Sequence, residues 1–360
     1  PVRQLAELAE LFADSVIGDP AGVELTGITL ATADLRSGEV FVAIAGANRH
    51  GAEFAAAAAE AGAVAVITDA AGAAIAAGAG IPVLIVDNPR ALLGTLSAWV
   101  YGTGTGSDTL SGRALAAASK DLPPMPLLFG TTGTNGKTSV SHLLEGILQQ
   151  VGAVTGLSST AERHIGDQIV VSRLTTPEAS EMHALLALMR ERGVEVVAVE
   201  VSAQALSRHR VDGIVFDVAG FTNLSHDHLD DYADMREYFE AKAPLFQPDR
   251  ARRGVVSLDT AAGHEIVAGA GIPIVTVGTP AIAQDATAAA AASWVVTIGD
   301  EVQAYTEFTL SGPDGRSLTT RVPVIGPHMA ANASLAIVMM LEVGYEWDAI
   351  VKALTRDGGI

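Results

Sequence analysis

Hydrophobic and polar positions along residues 1 to about 100 form short segments that are alternately strand-like and helix-like. The strand-like segments are LRSGEVFVAI (35–44), AVAVITD (63–69) and IPVLIVD (81–87). The helix-like segments are AEFAAAAAEAGA (52–63) and PRALLGTLSAWVYG (89–102). Such alternation is typical of α/β domains and predicts one here.

The second half of the chain contains longer apolar runs in which polar residues do not alternate. They are PLLFG (126–130), VEVVAVEVS (194–202), FDVAGFTNLS (216–225), GVVSLD (254–259) and PIVTVG (273–278). Runs of this kind predict a parallel sheet that helices cover on both faces. The segment 305–324 alternates on both sides of GPDG, which predicts a hairpin. HMAANASLAIVMMLEVG (328–344) and WDAIVKALTRDGG (347–359) are predicted to form two closing helices.

The two halves are separated by GTGTGSDTLSG (102–112), which lacks periodicity, and by PPMP (123–126). We therefore predict an N-terminal α/β domain at 1–105, a linker at 106–126 and a second domain at 127–360. The second domain is expected to have a mostly parallel sheet flanked by helices.

Composition narrows the choice of function. The chain has 360 residues, no cysteine and a formal net charge of −19. Disulfides, cysteine metal sites and thiol nucleophiles are excluded, and a reducing compartment such as the cytoplasm is expected. The acidic balance argues against non-specific binding of nucleic acid. The N-terminus has no signal-peptide pattern, and Ala70–Val86 is interpreted as a buried helix–turn–strand, so we expect no membrane insertion.

The segment GTTGTNGKTS follows a strand-like run and precedes a helix-like one, which is typical of a phosphate-binding loop. Gly133 and Gly136 allow the backbone N–H groups to approach phosphate, and the N-terminus of the next helix adds a favourable potential. Lys137 supplies a positive charge and Thr138 a hydroxyl for Mg²⁺. The predicted phosphate-binding residues are Gly130, Thr131, Thr132, Gly133, Thr134, Asn135, Gly136, Lys137, Thr138 and Ser139.

The loop departs from the strict G-x-x-x-x-G-K-[ST] pattern, because Thr131 occupies the position of the first glycine and Gly130 precedes it. The alternative is an ordinary strand-to-helix turn. The loop by itself does not distinguish a kinase, a GTPase, a motor or a ligase. A guanine-reading N-K-x-D and the motif set of protein kinases are absent from the sequence.

Three further positions combine polar chemistry with strand ends or apolar flanks. Glu200 closes an apolar run and could hold Mg²⁺ opposite Thr138, or could be an acid at a helix N-terminus. The segment 222–230 gathers two histidines and two aspartates, including His228, which suits a metal or phosphate site or a capping turn. Lys242 has apolar flanks at helical spacing, so it is either partly buried near these acids or a solvated lysine paired with a glutamate.

GTTGTNGKTS, LTTPE (174–178), EVSAQALSRHRV (200–211), TNLSHDHLDDY (222–232) and YFEAKAPLF (238–246) occur in this order. In this order they resemble the Mur ligases over nearly the whole chain. The loop of that family has the same additional residue, so Thr131 agrees with it. TTP followed by EVS and AL resembles the member that extends UDP-N-acetylmuramoyl-L-alanyl-D-glutamate by a diamino acid.

The resemblance implies a role for individual residues. The loop and Asn332, on the adenine side, would bind ATP, with Lys137, Glu200, His228 and Lys242 as catalytic residues. Two Mg²⁺ ions would be held by Thr138, Glu200, His228 and a Lys242 carbamate formed from CO₂. Contacts to the muramoyl-peptide substrate are implied for Thr175, Thr176, Ser202 and Arg210. The uridine side is implied for Thr32, Asn48 and His50, although Thr32 stands where the family usually has serine.

The implied reaction is ATP-dependent amide formation in peptidoglycan biosynthesis. The γ-phosphoryl group would pass to the D-glutamyl carboxylate, and the amine of a diamino acid would displace phosphate from the acyl phosphate. Lys137 and Mg²⁺ would reduce the repulsion between carboxylate and ATP. We expect a monomer in the cytoplasm. The sequence leaves open whether diaminopimelate, lysine, ornithine or diaminobutyrate is added.

Several positions depart from the family pattern. Gln204 replaces a histidine, and Met329 replaces an asparagine. The family's C-terminal domain, which carries a D-N-P-R motif, is not found, and we interpret Asp87–Arg90, which spells the same letters, as coincidence. Two alternatives stay open: a sibling such as a folylpolyglutamate-type ligase, and a module that binds nucleotide and UDP-sugar without turnover.

Overall fold

The computed structural model describes residues 1–104, 117–171, 175–225, 231–302, 304–323, 326–356 and 359. The chain forms two compact units. Unit 1 comprises Pro1–Met125, Pro177–Leu188 and Arg208–Ile214, and unit 2 comprises Pro126–Thr176, Met189–Ser207 and Val215–Ile360. Two short segments from the second half of the chain therefore belong to the first unit, and the predicted domain boundaries remain a prediction.

Unit 1 is an α/β unit, as predicted. Its strands are β1 Arg3–Gln4, β2 Ser15–Ile17, β3 Glu24–Leu25, β4 Gly27–Thr29, β5 Glu39–Ala43, β6 Ala65–Thr68 and β7 Val83–Ile85. Its helices before residue 105 are α1 Leu5–Phe12, α2 Ala55–Glu60, α3 Ala70–Ala76 and α4 Pro89–Tyr101. The main sheet has the order β2-β7-β6-β5-β4, with β2 antiparallel and the other pairs parallel.

Local chemistry explains where the helices of unit 1 begin. Asp69 caps α3 by accepting a hydrogen bond from Gly72 N at 2.8 Å. Asn88 caps α4 through Ala91 N at 3.0 Å, and Pro89 takes the first helical position, where its missing N–H costs nothing. The segment Asp87–Arg90 thus contains the start of α4, and helix capping accounts for Asn88 and Pro89 at these positions. The predicted helix–turn–strand in Ala70–Val86 is confirmed by α3 and β7, but the helix is only partly buried, since Ile75 is 48% exposed.

Unit 2 is built around one large sheet. Its strands are β8 Leu127–Thr132, β9 Thr155–Ser158, β10 Glu162–Ile165, β11 Gln168–Val171, β12 Val196–Glu200, β13 Val218–Phe221, β14 Gly254–Ser257, β15 Ile274–Gly278, β16 Trp294–Val302, β17 Tyr305–Ser311 and β18 Ser317–Val322. The helices from residue 137 onward are α5 Lys137–Gln150, α6 Ala179–Glu191, α7 Ala203–Ser207, α8 Met235–Lys242, α9 Ala261–Gly269, α10 Ala286–Ala290, α11 Pro327–Glu342 and α12 Trp347–Arg356. Helix α6 belongs to unit 1 as far as Leu188.

The strands that the described residues of unit 2 contribute pair in the order β11-β10-β9-β12-β8-β13-β14-β15-β16-β17-β18. Every pair from β9–β12 to β15–β16 is parallel, and the outer pairs are antiparallel. The predicted parallel sheet, the β17–β18 hairpin and the helices α11 and α12 are confirmed. Strands β9, β10 and β11 were not predicted, since TGLS, ERHI and QIVV are too short and too polar to give a period.

Helices α5 and α11 pack on the sheet of unit 2 and against each other. Val140, Leu144 and Ile147 of α5 are fully buried, as are Ile337 and Met340 of α11. Burying these side chains fixes the start of α5, and thereby the loop before it, against the carboxyl end of β8. Within the described residues, no helix is both long enough and apolar enough to cross a lipid bilayer.

Unit 1 contains a fully buried histidine, His183. Its Nε2 lies 2.9 Å from the Asp212 carbonyl oxygen, to which it donates, so Nδ1 accepts from the Thr103 hydroxyl at 2.7 Å. Burial lowers the pKa of His183 to about 4, although the Asp212 carbonyl acts in the opposite direction. The folded state therefore holds this ring neutral.

We expect His183 to make folding less favourable as the pH falls. Below pH 6.5, the ordinary pKa of histidine, His183 takes up a proton in the unfolded chain. In the folded chain it stays neutral until about pH 4. The free energy of unfolding should fall by up to about 3 kcal/mol over this window. Urea unfolding at a series of pH values would measure it, with His183→Gln as the control. Parallel pH profiles for the two proteins would contradict the prediction.

Candidate functional site

The loop between β8 and α5 has the geometry of an anion-binding turn. Gly133 has a φ of 148° and Gly136 a φ of 88°, both in the region that side chains rarely adopt. A Cβ at Gly133 would lie 1.9 Å from the Thr222 hydroxyl, so no side chain fits there. Helix α5 begins directly after Gly136, and its first N–H groups have no acceptor within the helix. These groups and the helix dipole favour an anion at this point.

The segment that follows β13 holds this loop in place. Thr134 N donates to Asn223 O at 2.9 Å, and Asn135 N donates to Asn223 Oδ1 at 3.0 Å. The Thr222 hydroxyl donates to Asn135 O at 2.6 Å, and Ser225 N donates to the Thr134 hydroxyl at 3.0 Å. Two adjacent parallel strands therefore end in loops that are bonded to each other, which fixes the shape of the phosphate loop.

Lys137 turns back over the same loop. Its Nζ donates to Gly133 O at 3.1 Å and to Thr134 O at 2.9 Å. The ammonium group is thereby held beside the N-terminus of α5, where the sequence predicted a positive charge for phosphate.

Glu200 ends β12, and its residue is fully buried. The Thr138 hydroxyl donates to Glu200 Oε1 at 2.5 Å. On the other side, the Thr160 hydroxyl donates to Oε2 at 2.7 Å, and Thr160 N donates to the same oxygen. The structure thus brings together the two residues, Thr138 and Glu200, that were predicted as Mg²⁺ ligands. A hydroxyl and a carboxylate in contact are oxygen donors of the kind that Mg²⁺ prefers, so this part of the site fits the ion.

Lys242 is 1% exposed, so the interpretation as a solvated lysine is wrong. Its Nζ lies 3.9 Å from the centroid of the Tyr238 ring. Helix α8, which carries it, packs on α7, the helix that starts three residues after Glu200, and Ala203, Tyr232 and Tyr238 form their common core. The apolar flanks bury the amine because they lie on the side of α8 that faces the core.

His228 lies outside the described residues, with the rest of 226–230. Among the residues that the structure describes, no group of three or more His, Asp or Glu side chains is placed to hold a metal. Of the predicted metal site, the described residues therefore include the contact between Thr138 and Glu200 and the buried Lys242.

A cavity of about 520 Å³ opens beside the phosphate loop. Its lining comes from the carboxyl ends of four neighbouring parallel strands, β8, β13, β14 and β15, and from helix α11. The main lining residues are Gly136, Ser139, Asn223, Asp259, Val277, Thr279, Ile282, Gln284, His328, Asn332 and Leu335. Ligands of open α/β sheets bind at this edge, and the volume suits a small organic ligand.

Asn332, which was predicted on the adenine side, lies beside the loop in this cavity. A Cβ at Gly136 would come 2.8 Å from its Oδ1, so only glycine allows this approach. The Asn332 amide also lies 3.9 Å from the Met329 sulfur, to which it donates. Met329, the residue that departs from the family pattern, therefore contacts the predicted adenine residue.

Asp259 lines the cavity and was not predicted as a site residue. Its Oδ1 accepts from Thr279 N at 2.6 Å, and burial raises the pKa of its carboxyl group. Neighbouring strands are about 4.8 Å apart, so Asp259 after β14 lies about 10 Å across the sheet from the loop after β8. The sequence signal for Asp259 was its position after the apolar run GVVS. Because the carboxyl ends of parallel strands meet at one edge of the sheet, this position indicates the ligand-binding edge.

The residues predicted to contact a muramoyl-peptide fall in both units. In unit 2, the Thr176 hydroxyl donates to Glu200 O at 2.8 Å and accepts from Ser202 N at 3.3 Å. The hydroxyl oxygens of Thr175 and Thr160 lie 3.2 Å apart. Thr175, Thr176 and Ser202 therefore surround the end of β12.

Arg210 belongs to unit 1, where its Nε donates to Glu178 Oε1 at 3.1 Å. Arg90 Nη1 donates to the other oxygen of Glu178 at 2.5 Å. The last residue of LTTPE thus bridges two arginines. The sequence did not predict this pairing, because Arg90 and Glu178 are 88 residues apart and no local pattern connects them.

The residues predicted on the uridine side also lie in unit 1. Thr32 follows β4 and the exposed Asn48 follows β5, so both lie at the carboxyl end of adjacent parallel strands. His50 accepts from Ala52 N through Nδ1 at 3.0 Å, and its Nε2 lies 3.1 Å from an oxygen of Asp69. One ring nitrogen of His50 thus holds its own loop, and the other contacts the residue that caps α3.

Two models of one protein family match the chain. The family model described as the Mur ligase middle domain matches residues 131–340, and the one described as the Mur ligase family, catalytic domain, matches residues 24–101. A UDP-N-acetylmuramyl-tripeptide synthetase of Leifsonia xyli subsp. xyli is 55% identical, over 99% of this chain and 65% of that protein. A UDP-N-acetylmuramoyl-L-alanyl-D-glutamate–2,6-diaminopimelate ligase of Streptomyces avermitilis is 42% identical, over 98% and 65%.

Solved structures share the fold. A structure of a UDP-N-acetylmuramoyl-L-alanyl-D-glutamate–2,6-diaminopimelate ligase aligns with a TM-score of 0.77 at 22% identity, over 99% of this chain and 67% of that one. A structure of MurF from Acinetobacter baumannii aligns with a TM-score of 0.64 at 20% identity, over 99% and 67%. The chain spans 65% of the length of the two curated relatives named above.

The geometry of the loop makes a prediction about Gly133. Gly133→Ala should lower the free energy of unfolding by about 1–3 kcal/mol, because the methyl group meets the Thr222 hydroxyl at a strained φ. Gly146→Ala in α5, where the Cβ would enter open space, is the matched control and should gain up to about 1 kcal/mol. Urea unfolding would compare them. Equal stability of the two variants would show that the loop tolerates a side chain.

Proposed function

The chain belongs to the Mur ligase family, and on that premise we propose that it binds ATP and UDP-N-acetylmuramoyl-L-alanyl-D-glutamate for ligation to a diamino acid. The observation that carries the proposal is the contact of Thr138 with Glu200 beside a glycine loop that is shaped for phosphate. The names of the relatives support the substrate, since they are a tripeptide synthetase and diaminopimelate ligases. The whole protein's activity is part of this proposal, because the chain spans only part of those relatives.

The reaction requires two anions to meet. In the proposed sequence, an oxygen of the D-glutamyl carboxylate attacks the γ-phosphorus of ATP, and ADP leaves. The amine of the diamino acid then attacks the acyl carbon, loses a proton and expels phosphate. The repulsion between carboxylate and ATP is the main obstacle, so stabilisation of charge and alignment in the site supply the catalysis.

Named residues of this chain would meet that need. Lys137 and the first N–H groups of α5 would bind the phosphates from one side. Thr138 and Glu200 would hold Mg²⁺, which supplies positive charge to the phosphoryl group as it moves. An ADP complex of MurF from Thermotoga maritima, a protein that shares the fold, is consistent with nucleotide binding in such a unit.

Lys242 and His228 complete the proposed metal site. Burial disfavours the charged form of an amine, and a neutral amine can react with CO₂. The resulting carbamate offers oxygen atoms as metal ligands, which a lysine ammonium group does not. The family resemblance assigns this carbamate to the second Mg²⁺ and includes His228 among the metal ligands. The burial of Lys242 supports the assignment, since a solvated lysine would remain an ammonium group.

The cavity beside the loop would hold the nucleoside. Asn332 borders the loop, Asp259 and Thr279 follow the strands two and three places away from β8, and the cavity extends across the sheet to them. Val277, Ile282 and Leu335 provide apolar surface for a base. We place the 6-amino group of adenine against the oxygen of Asp259 that does not accept from Thr279 N.

The test of the proposed function is stabilisation of this chain by its substrate. UDP-N-acetylmuramoyl-L-alanyl-D-glutamate should raise the melting temperature clearly more than UDP-N-acetylglucosamine, because a ligand that binds only the folded state stabilises it. At a hundredfold excess over its dissociation constant the gain is about 2.7 kcal/mol. Equal shifts for the two compounds, while Mg·ATP still stabilises, would favour a sibling ligase with another substrate.

Asp259→Asn should change which base is preferred. With Oδ1 still accepting from Thr279 N, the cavity would meet an amide N–H₂ in place of a carboxylate oxygen. The wild type should bind Mg·ADP more tightly than Mg·IDP, and the variant should lose about tenfold of that preference, because a donor then faces the amino group and an acceptor is lost. Calorimetry would measure both affinities. An equal loss for both nucleotides would mean that Asp259 contacts the ribose.

A further inference from the structure

Glu200 is held from two sides, and only one of them belongs to the phosphate loop. Oε1 accepts from the Thr138 hydroxyl, while Oε2 accepts from both the hydroxyl and the N–H of Thr160. A fully buried carboxylate depends on such donors, because it has lost its hydration. Two donors from one residue on the same oxygen fix the plane of the carboxylate as well as its position.

Hydrogen bonds close the turn that contains Thr160. Thr160 lies in the two-residue tip of the β9–β10 hairpin, which Ser159 and Glu162 close. Ser159 N donates to Glu162 O at 3.0 Å, and Glu162 N donates to the Ser159 hydroxyl at 3.3 Å. Ser159 itself is fully buried. The N–H and hydroxyl of Thr160 are therefore aimed at Glu200 by a closed turn.

The Thr160 hydroxyl also contacts Thr175, at 3.2 Å. A hydroxyl has one proton, and here it is donated to the carboxylate, so Thr160 accepts from Thr175. A chain of hydroxyl groups thus runs from Thr175, beside the end of β12, through Thr160 to Glu200. Networks of this kind strengthen each bond and favour one arrangement.

We propose that Thr160 is a positioning residue, which orients the Glu200 carboxylate for Mg²⁺ from the side opposite Thr138. The inference rests on the proposed function, because it assumes that Glu200 receives the ion. Thr160 itself does not touch the ion. Its contribution is to keep Oε1 directed towards Thr138, so that the two oxygen donors face a cation together rather than after a rotation of the carboxylate.

The test compares Thr160→Val with Thr160→Ser. Valine has the shape of threonine without the hydroxyl, and serine retains the hydroxyl. The dissociation constant of ADP would be measured by calorimetry for each protein, with Mg²⁺ and with EDTA. Thr309→Val is the matched control, since the Thr309 hydroxyl lies 2.8 Å from that of Thr319 on the β17–β18 hairpin of the same unit.

Thr160→Val should reduce the gain in ADP affinity that Mg²⁺ provides by about tenfold, the usual effect of losing one hydrogen bond to a charged group. Its ADP affinity in EDTA should equal that of the wild type, because the loop is unchanged. Thr160→Ser and Thr309→Val should retain the gain to within about twofold.

Two results would overturn the inference while leaving the proposed function intact. One is a full Mg²⁺-dependent gain in Thr160→Val. The other is an equal loss with Mg²⁺ and with EDTA, which would mean that Thr160 only supports the fold. A wild-type chain that binds ADP without any gain from Mg²⁺ would overturn the proposed metal site, and this inference with it.

Discussion

The burial of one carboxylate, Glu200, constrains the whole edge of the sheet in unit 2. A charge without water needs hydrogen-bond donors, and the neighbouring strands must deliver them. Strand register does so: Glu200 is paired with Thr131 on β8, and Val199 with Ser158 on β9. The chain then leaves β8 into the loop that ends at Thr138, and leaves β9 into the turn that holds Thr160. A shift of one residue in either pairing would turn every side chain of that strand to the other face.

The backbone N–H groups at this edge of the sheet have two roles: some attach the loop to its neighbour, and others have no acceptor within the helix. The N–H groups of Thr134 and Asn135 are used to attach the loop to Asn223. The first N–H groups of α5 remain for an anion. A loop that is already hydrogen-bonded to its neighbour loses little conformational entropy when a ligand binds, so the site is preorganised. The arrangement requires Gly133, because the Thr222 hydroxyl occupies the space of a Cβ there.

The sequence predicted the parts of this arrangement that a strong local pattern encodes. Apolar runs indicated β8 and β12–β15, and the glycine loop and Glu200 followed from their positions at strand ends. Thr160 could not be predicted, because β9 forms by pairing with β12 and β10 by pairing with β9, rather than through their own composition. The burial of Lys242 was also undecided, since apolar flanks at helical spacing do not show which side of a helix meets the core. His50 illustrates the opposite limit, because a motif predicts it in a ligand pocket, whereas its ring nitrogens contact Ala52 of its own loop and Asp69 at the start of α3.

Charge raises a final question, because a chain with a net charge of −19 is proposed to bind nucleotides that are themselves anions. At physiological salt, charges farther than about 8 Å from a ligand are largely screened, so the acidic surface matters less than the groups at the loop. Those groups are Lys137, whose ammonium group donates to two backbone carbonyl oxygens, and the dipole of α5. Against them stands Glu200, whose negative charge would repel a bare phosphate. A cation between the carboxylate and the phosphates turns that repulsion into attraction. On the proposed function, the same buried carboxylate that organises the sheet edge would favour a nucleotide that arrives with its metal ion.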